Sequence, residues 1–231
     1  IAQCVAGALA KLALRQLAPQ MAIYAFCSQI GTIYANNPAD IKAARAISDS
    51  NAVRCPDSEA ANKMESLIKE VHKEQDSIGG VVSCIIENCP VGLGEPLFDK
   101  LHARLGYTML NINAAKGFEY GDGFDSATQR GSYHNDSFTT NEKGSIATTS
   151  NHSGGIQGGI SNGQTISFRV AFKPTPTIGI AQQTVDKNLN AVTLEAKGRH
   201  DPCVVPRAVP VVENCAAFVI LDSILTNKIW Q

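Results

Sequence analysis

Between residues 117 and 163 the chain carries so much Gly, Ser, Thr and Asn, and so little apolar surface, that most of the stretch has nothing to pack. A core therefore has to come from the residues on either side, with the middle carried as a long loop. Loops of that length in a compact domain usually act as lids or binding loops, or are disordered links. This makes 117–163 the first place to look for function.

Upstream, residues 2–17 read as an interior helix, in which Ala6, Gly7 and Ala10 would let another backbone approach and Leu12, Leu14 and Leu17 supply bulk. Ala22, Tyr24, Phe26 and Ile30 fall at even spacing, so 21–34 is read as a strand. Pro38 and Asp40 start a short helix. Asp57 or Ser58 caps another, with Met64, Leu67, Ile68 and Val71 on its apolar stripe. Residues 81–87 form a continuous apolar run suited to a buried strand, and 96–110 a helix with Leu97, Leu101, Leu105 and Met109 along one side and His102 at its boundary.

Downstream, Ile166, Phe168, Val170 and Phe172 alternate with polar residues, which predicts a strand over 165–173. Two more strands are expected at 178–185 and 191–196, joined by the turn-prone residues 186–188. A final helix follows Pro202, with Pro206 or Pro210 in its first turn. The order of elements is α+β, and one domain is expected over 1–231.

The net charge of -1 and the 44% hydrophobic share suit a globular protein and argue against a nucleic-acid binder. The seven cysteines form neither a CxxC pair nor a metal-ligand spacing with the five histidines, so no metal is expected. They read as cytosolic thiols, with Cys84 and Cys215 as small core residues. No uninterrupted apolar run reaches the roughly 18 residues of a membrane span, and no secretory leader is visible. The opening at Ile1, in mid-helix, suggests an N-terminally truncated chain.

Three segments suit chemistry. The glycine-rich run 151–163 brings backbone amides close to a ligand, or is simply a flexible loop; it matches no P-loop and no dinucleotide fingerprint. Lys173, followed by Pro174, Thr175, Pro176 and Thr177, places a cation and two hydroxyls at a stiffened strand end, which suits an anion as well as it suits an ordinary exposed lysine. In Arg199-His200-Asp201-Pro202, an extended backbone would aim Arg199 and Asp201 the same way, as a phosphate-binding pair or as a structural ion pair.

The order of these pieces resembles chorismate synthase. The matching segments are Asn113-Ala114-Ala115-Lys116-Gly117, Gly121-Asp122-Gly123-Phe124, Arg130-Gly131-Ser132, the 151–163 loop, Phe172-Lys173-Pro174, and Gly198-Arg199-His200-Asp201-Pro202-Cys203 followed by Arg207-Ala208-Val209-Pro210. The resemblance implies a β-α-β sandwich with helices packed between antiparallel sheets, a cytoplasmic homotetramer, reduced FMN as cofactor, and NADPH or an outside reductase to reduce it. It further implies a lyase that eliminates phosphate from 5-enolpyruvylshikimate 3-phosphate to give chorismate, in aromatic amino acid biosynthesis. Carried over by position, FMN contacts fall on Asn113, Ala114, Gly158, Lys173, Pro174, Thr175, Pro176, Thr177 and Arg199. Arg199 also faces the substrate phosphate, and Asp201 is the catalytic residue beside the flavin. The family's GESHG, GHAD and RSSARET segments, with its two catalytic histidines, have no counterpart in the sequence, and His134, His152 and His200 are not substitutes. A non-catalytic flavin-binding fragment is the alternative.

Overall fold

The computed structural model describes residues 1–140, 144 and 146–229. Helix α1, Ala2–Leu17, buries Gly7, Ala10 and Leu14, but Val5, Leu9 and Leu12 on its other side are exposed, so it is a one-faced helix and not the interior helix expected. Strand β1, Ala22–Ile30, ends in a turn and pairs antiparallel with the two-residue β2, Ile33–Tyr34, dividing the single strand expected there.

Asp40 caps α2, Ile41–Asp49, by accepting from the Lys42 and Ala43 amides. Asp57 caps α3, Ser58–Lys73, in the same way through the Glu59 and Ala60 amides. Each cap satisfies amides that a helix start leaves without partners. Strand β3 spans Gly80–Glu87. Helix α4 is Leu101–Leu110, shorter than expected because 96–100 is bent, and Leu97 stands exposed instead of continuing the stripe.

The expected long loop is instead a chain of small elements. Strand β4, Ala115–Tyr120, leads to a 3-10 helix, Gly123–Thr128, and to the one-turn α5, Gly131–His134. Two short antiparallel hairpins follow: β5, Phe138–Thr140, with β6, Ile146–Thr148, then β7, Ile156–Gln157, with β8, Ile160–Ser161. Strand β9, Ile166–Phe172, buries Ile166, Phe168, Val170 and Phe172 in the expected alternation. Strands β10, Gln182–Val185, and β11, Ala191–Leu194, form an antiparallel hairpin.

The last helix, α6, runs Val205–Ile229 with Pro206 in its first turn and Pro210 inside it. It is long and apolar enough to cross a membrane by composition, yet its most apolar window is 67% buried within the chain, as in a core helix. In the main sheet the strands lie in the order β2-β1-β3-β9-β4.

The chain divides into two compact units, one of residues 1–25, 83–170 and 209–231, the other of 26–82 and 171–208. The first has a core of residues such as Leu101, Leu105, Met109, Phe168 and Ile220. Phe26, Ile30, Met64, Val82 and Phe172 fill the second. In the first unit α1 and α6 touch through backbone: a Cβ on Gly7 would fall inside Asn214. Buried Glu213 meets Lys11 at 2.6 Å and accepts from the Ala25 amide at 2.9 Å.

Candidate functional site

After α4 the backbone reverses through Ala114, at φ 70, and enters β4. The strand lies close against the helix: a Cβ on buried Gly106 would stand 3.1 Å from the Phe118 ring. One turn away the imidazole of His102 stacks on Tyr120, with ring centres 4.7 Å apart and planes 10° from parallel. Burial, and then the charge of Lys100, lower the His102 pKa, so the ring is neutral at pH 7; its buried Nδ1 has no hydrogen-bond partner. These side chains wall a cavity of about 680 Å³, completed by Tyr107, Phe124, His134, His152 and the segment 156–158.

The glycine run closes this cavity because two side chains tie it down. Buried Asp136 accepts from the His152 amide at 2.8 Å, the Ser153 amide at 2.9 Å and the Ser150 hydroxyl at 2.8 Å. Burial alone would raise its pKa, but these hydrogen bonds outweigh burial and hold it at about 2. Asn151 accepts from the Gly155 amide and donates to the Thr165 carbonyl, both at 2.8 Å. Gly154 takes φ 61 where a Cβ would collide with the Gly121 backbone, so glycine is required at that crossing. The run is thus a pinned turn. Its 154–156 amides are spent internally, while exposed Gly158, at φ 61, leaves open space where a Cβ would sit.

Two residues of the cavity lining, His152 and His134, are joined through Asp122 and Gln129 by a chain of hydrogen bonds that sequence reasoning missed. His152 Nδ1 lies 2.6 Å from Asp122 Oδ2, which also accepts from Gln129 Nε2 at 2.7 Å; the Gln129 carbonyl oxygen lies 2.9 Å from His134 Nδ1. Burial raises the Asp122 pKa, and the hydrogen bonds of Gln129 and His152 more than offset it, leaving a carboxylate below its ordinary value. Tyr133 packs on His152 with ring centres 4.7 Å apart. His134 and His152 were visible as residues, but nothing local signals that a turn brings both to Asp122.

Of the residues expected at a flavin, Asn113 is exposed, Ala114 forms the turn into β4 and Gly158 lines the cavity, all in the first unit. The others belong to the second unit. There the Thr175 hydroxyl donates to the Asp201 carbonyl at 2.8 Å, and the Ser77 hydroxyl to the Thr175 carbonyl at 2.7 Å. The Ile78 amide donates to the Pro202 carbonyl at 2.8 Å, so 77–78 ties the two expected segments together. Lys173 is half-buried and Pro174, Pro176, Thr177 and Arg199 are exposed. The Asp201 carboxylate pairs with Arg207 at 2.7 Å, not with Arg199 as spacing suggested.

An α+β frame with a concave, aromatic-walled cavity and a few convergent polar groups is the architecture of a small-molecule site. The family model described as chorismate synthase matches residues 1–225. The chorismate synthase of Cytophaga hutchinsonii is 54% identical over 99% of this chain, and that of Bacteroides fragilis 53% identical over all of it. A solved structure titled "Crystal Structure of Chorismate Synthase" superposes with a TM-score of 0.79 at 29% identity over 98% of the chain. The chain belongs to the chorismate synthase family. It spans 62% and 63% of the length of the two relatives and 62% of the solved chain.

Proposed function

We propose that the protein carrying this chain is a chorismate synthase, which eliminates phosphate from 5-enolpyruvylshikimate 3-phosphate in the presence of reduced FMN. The observation that carries this reading is the family match over 1–225, with the glycine loop and the Arg199–Cys203 motif both inside it. The same reading makes the protein a cytoplasmic homotetramer, with 1–231 as part of one catalytic domain.

The residues fit a reduced flavin, which is electron-rich and often anionic. Half-buried Lys173 and exposed Arg199 are cations on short connections, and the space over Gly158 is open. In this proposal Lys173 through Thr177, Arg199, Asn113, Ala114 and Gly158 contact FMN, and Arg199 neutralises the leaving phosphate. When bound, the flavin supplies electron density to the substrate ring as phosphate leaves. Asp201, the proposed catalytic residue, is paired with Arg207 and would offer a proton-accepting carboxylate oxygen when the flavin is bound.

Because the chain spans 62% of the Cytophaga relative, a second reading is favoured for the chain alone: it binds flavin without turnover. Anaerobic incubation of the whole protein with reduced FMN and 5-enolpyruvylshikimate 3-phosphate should release phosphate and build chorismate absorbance. Absence of both flavin binding and phosphate release would overturn the assignment. Asp201→Asn should slow elimination about 100-fold with FMN affinity nearly unchanged; an unchanged rate removes Asp201 from the chemistry.

A further inference from the structure

Helix α3 stops at Lys73, and the chain turns back through Gln75, at φ 61, into the stretch 75–79. This stretch runs against two segments distant along the chain, 172–179 and 201–202, all within the second unit. The Gln75 carbonyl accepts from the Gly179 amide at 2.8 Å. A Cβ on Gly79 would stand 2.4 Å from the Phe172 carbonyl oxygen, so backbone meets backbone there. Between these contacts three hydrogen bonds close into a ring. The Ser77 hydroxyl donates to the Thr175 carbonyl at 2.7 Å, the Thr175 hydroxyl to the Asp201 carbonyl at 2.8 Å, and the Ile78 amide to the Pro202 carbonyl at 2.8 Å. The peptide bonds from Ser77 to Ile78 and from Asp201 to Pro202 complete the circuit.

A hydroxyl has one hydrogen to donate. Those of Ser77 and Thr175 are both spent inside the ring, so neither is left to grip an anion. Exposed Thr177, whose side chain makes no hydrogen bond among the described residues, keeps its own. We propose that Ser77 and Thr175 are positioning residues of the lyase, holding segment 199–201 at a fixed distance from segment 173–177; this rests on the function proposed above. The ring fixes the backbone of Asp201, and Arg207 pairs with its carboxylate. Each side of the ring is a single hydrogen bond, so losing one loosens the two segments without unfolding the unit. Elimination is sensitive to such loosening, because a displacement of about 1 Å set off away from the reacting atoms can cost about 100-fold. Flavin affinity, spread over many contacts, is far less so.

The test uses the whole protein. Thr175→Val keeps the branched shape and removes the hydroxyl, whereas Thr175→Ser keeps the hydroxyl. Thr175→Val should lower kcat for phosphate release about tenfold or more, with FMN affinity within about threefold of the unaltered protein. Thr175→Ser should restore most of the rate. Ser77→Ala should show the same split, and combining it with Thr175→Val should cost less than the two losses multiplied, since both break one ring. A residue that only stabilised the fold would lower the urea midpoint and leave kcat of the folded protein unchanged. Circular dichroism confirms folding at the assay temperature; if Thr175→Val fails to fold, Ser77→Ala decides. Full kcat in both variants, or a loss that Thr175→Ser does not restore, overturns the inference alone. An unaltered protein that neither binds flavin nor releases phosphate overturns the lyase reading, and this inference with it.

Discussion

A single carboxylate organises the cavity wall at the residue scale. Asp136 is 6% exposed and takes three hydrogen bonds from segment 150–153, so its removal strands two backbone amides and a hydroxyl in a poorly hydrated place. A buried donor left without its acceptor costs about 1–3 kcal/mol, and not every donor here will be fully stranded. Asp136→Ala is therefore expected to destabilise the chain by about 3 kcal/mol. Urea denaturation gives the size of the loss, and amide hydrogen exchange locates it: His152 and Ser153 should lose protection first. Unchanged protection at both would mean that the turn is held by Asn151 alone.

At the scale of elements, the approach of α1 to α6 depends on the absent side chain of Gly7, since the site a Cβ would occupy is filled by Asn214. Gly7→Ala improves helix propensity but forces the two helices apart, and overpacking of this kind costs about 1–3 kcal/mol, more than the propensity gain. The urea midpoint should fall with little change in slope; a higher midpoint would show that the pair relaxes freely. The small-residue face of α1 could be read in the sequence, as could the Asp40 and Asp57 caps and the alternation of β9, because each signal is local. The hairpins inside 117–163 could not. Their strands have two or three residues, too short for periodicity, and their anchors Asp136 and Asn151 act on residues well along the chain. The same limit hid the meeting of Asp122, His134 and His152. Likewise the Asp201 carboxylate found Arg207, in the first turn of α6, where spacing alone had offered Arg199.

Across the whole molecule, thiols tie stability to pH in one direction. Burial, the largest cause in each case, raises the pKa of Cys89 to about 12 and of Cys203 and Cys215 to about 11, and pushes Cys27 and Cys55 up as well. Because the folded values lie above the unfolded value of about 8.5, the neutral thiols' contribution is complete below that pH and is lost as pH rises toward 11 to 12. Cys89 and Cys215 belong to the first unit and Cys27, Cys55 and Cys203 to the second, so both units weaken over the same alkaline window. The urea midpoint should hold between pH 7 and 8 and fall steadily from 9 to 11. In the native chain a thiol-specific reagent at pH 8 should modify half-buried Cys4 first, and the buried thiols only at the rate of unfolding. Rapid modification of several thiols at pH 8, with the fold intact by circular dichroism, would show that these side chains reach solvent without unfolding, and the alkaline loss would then disappear with them.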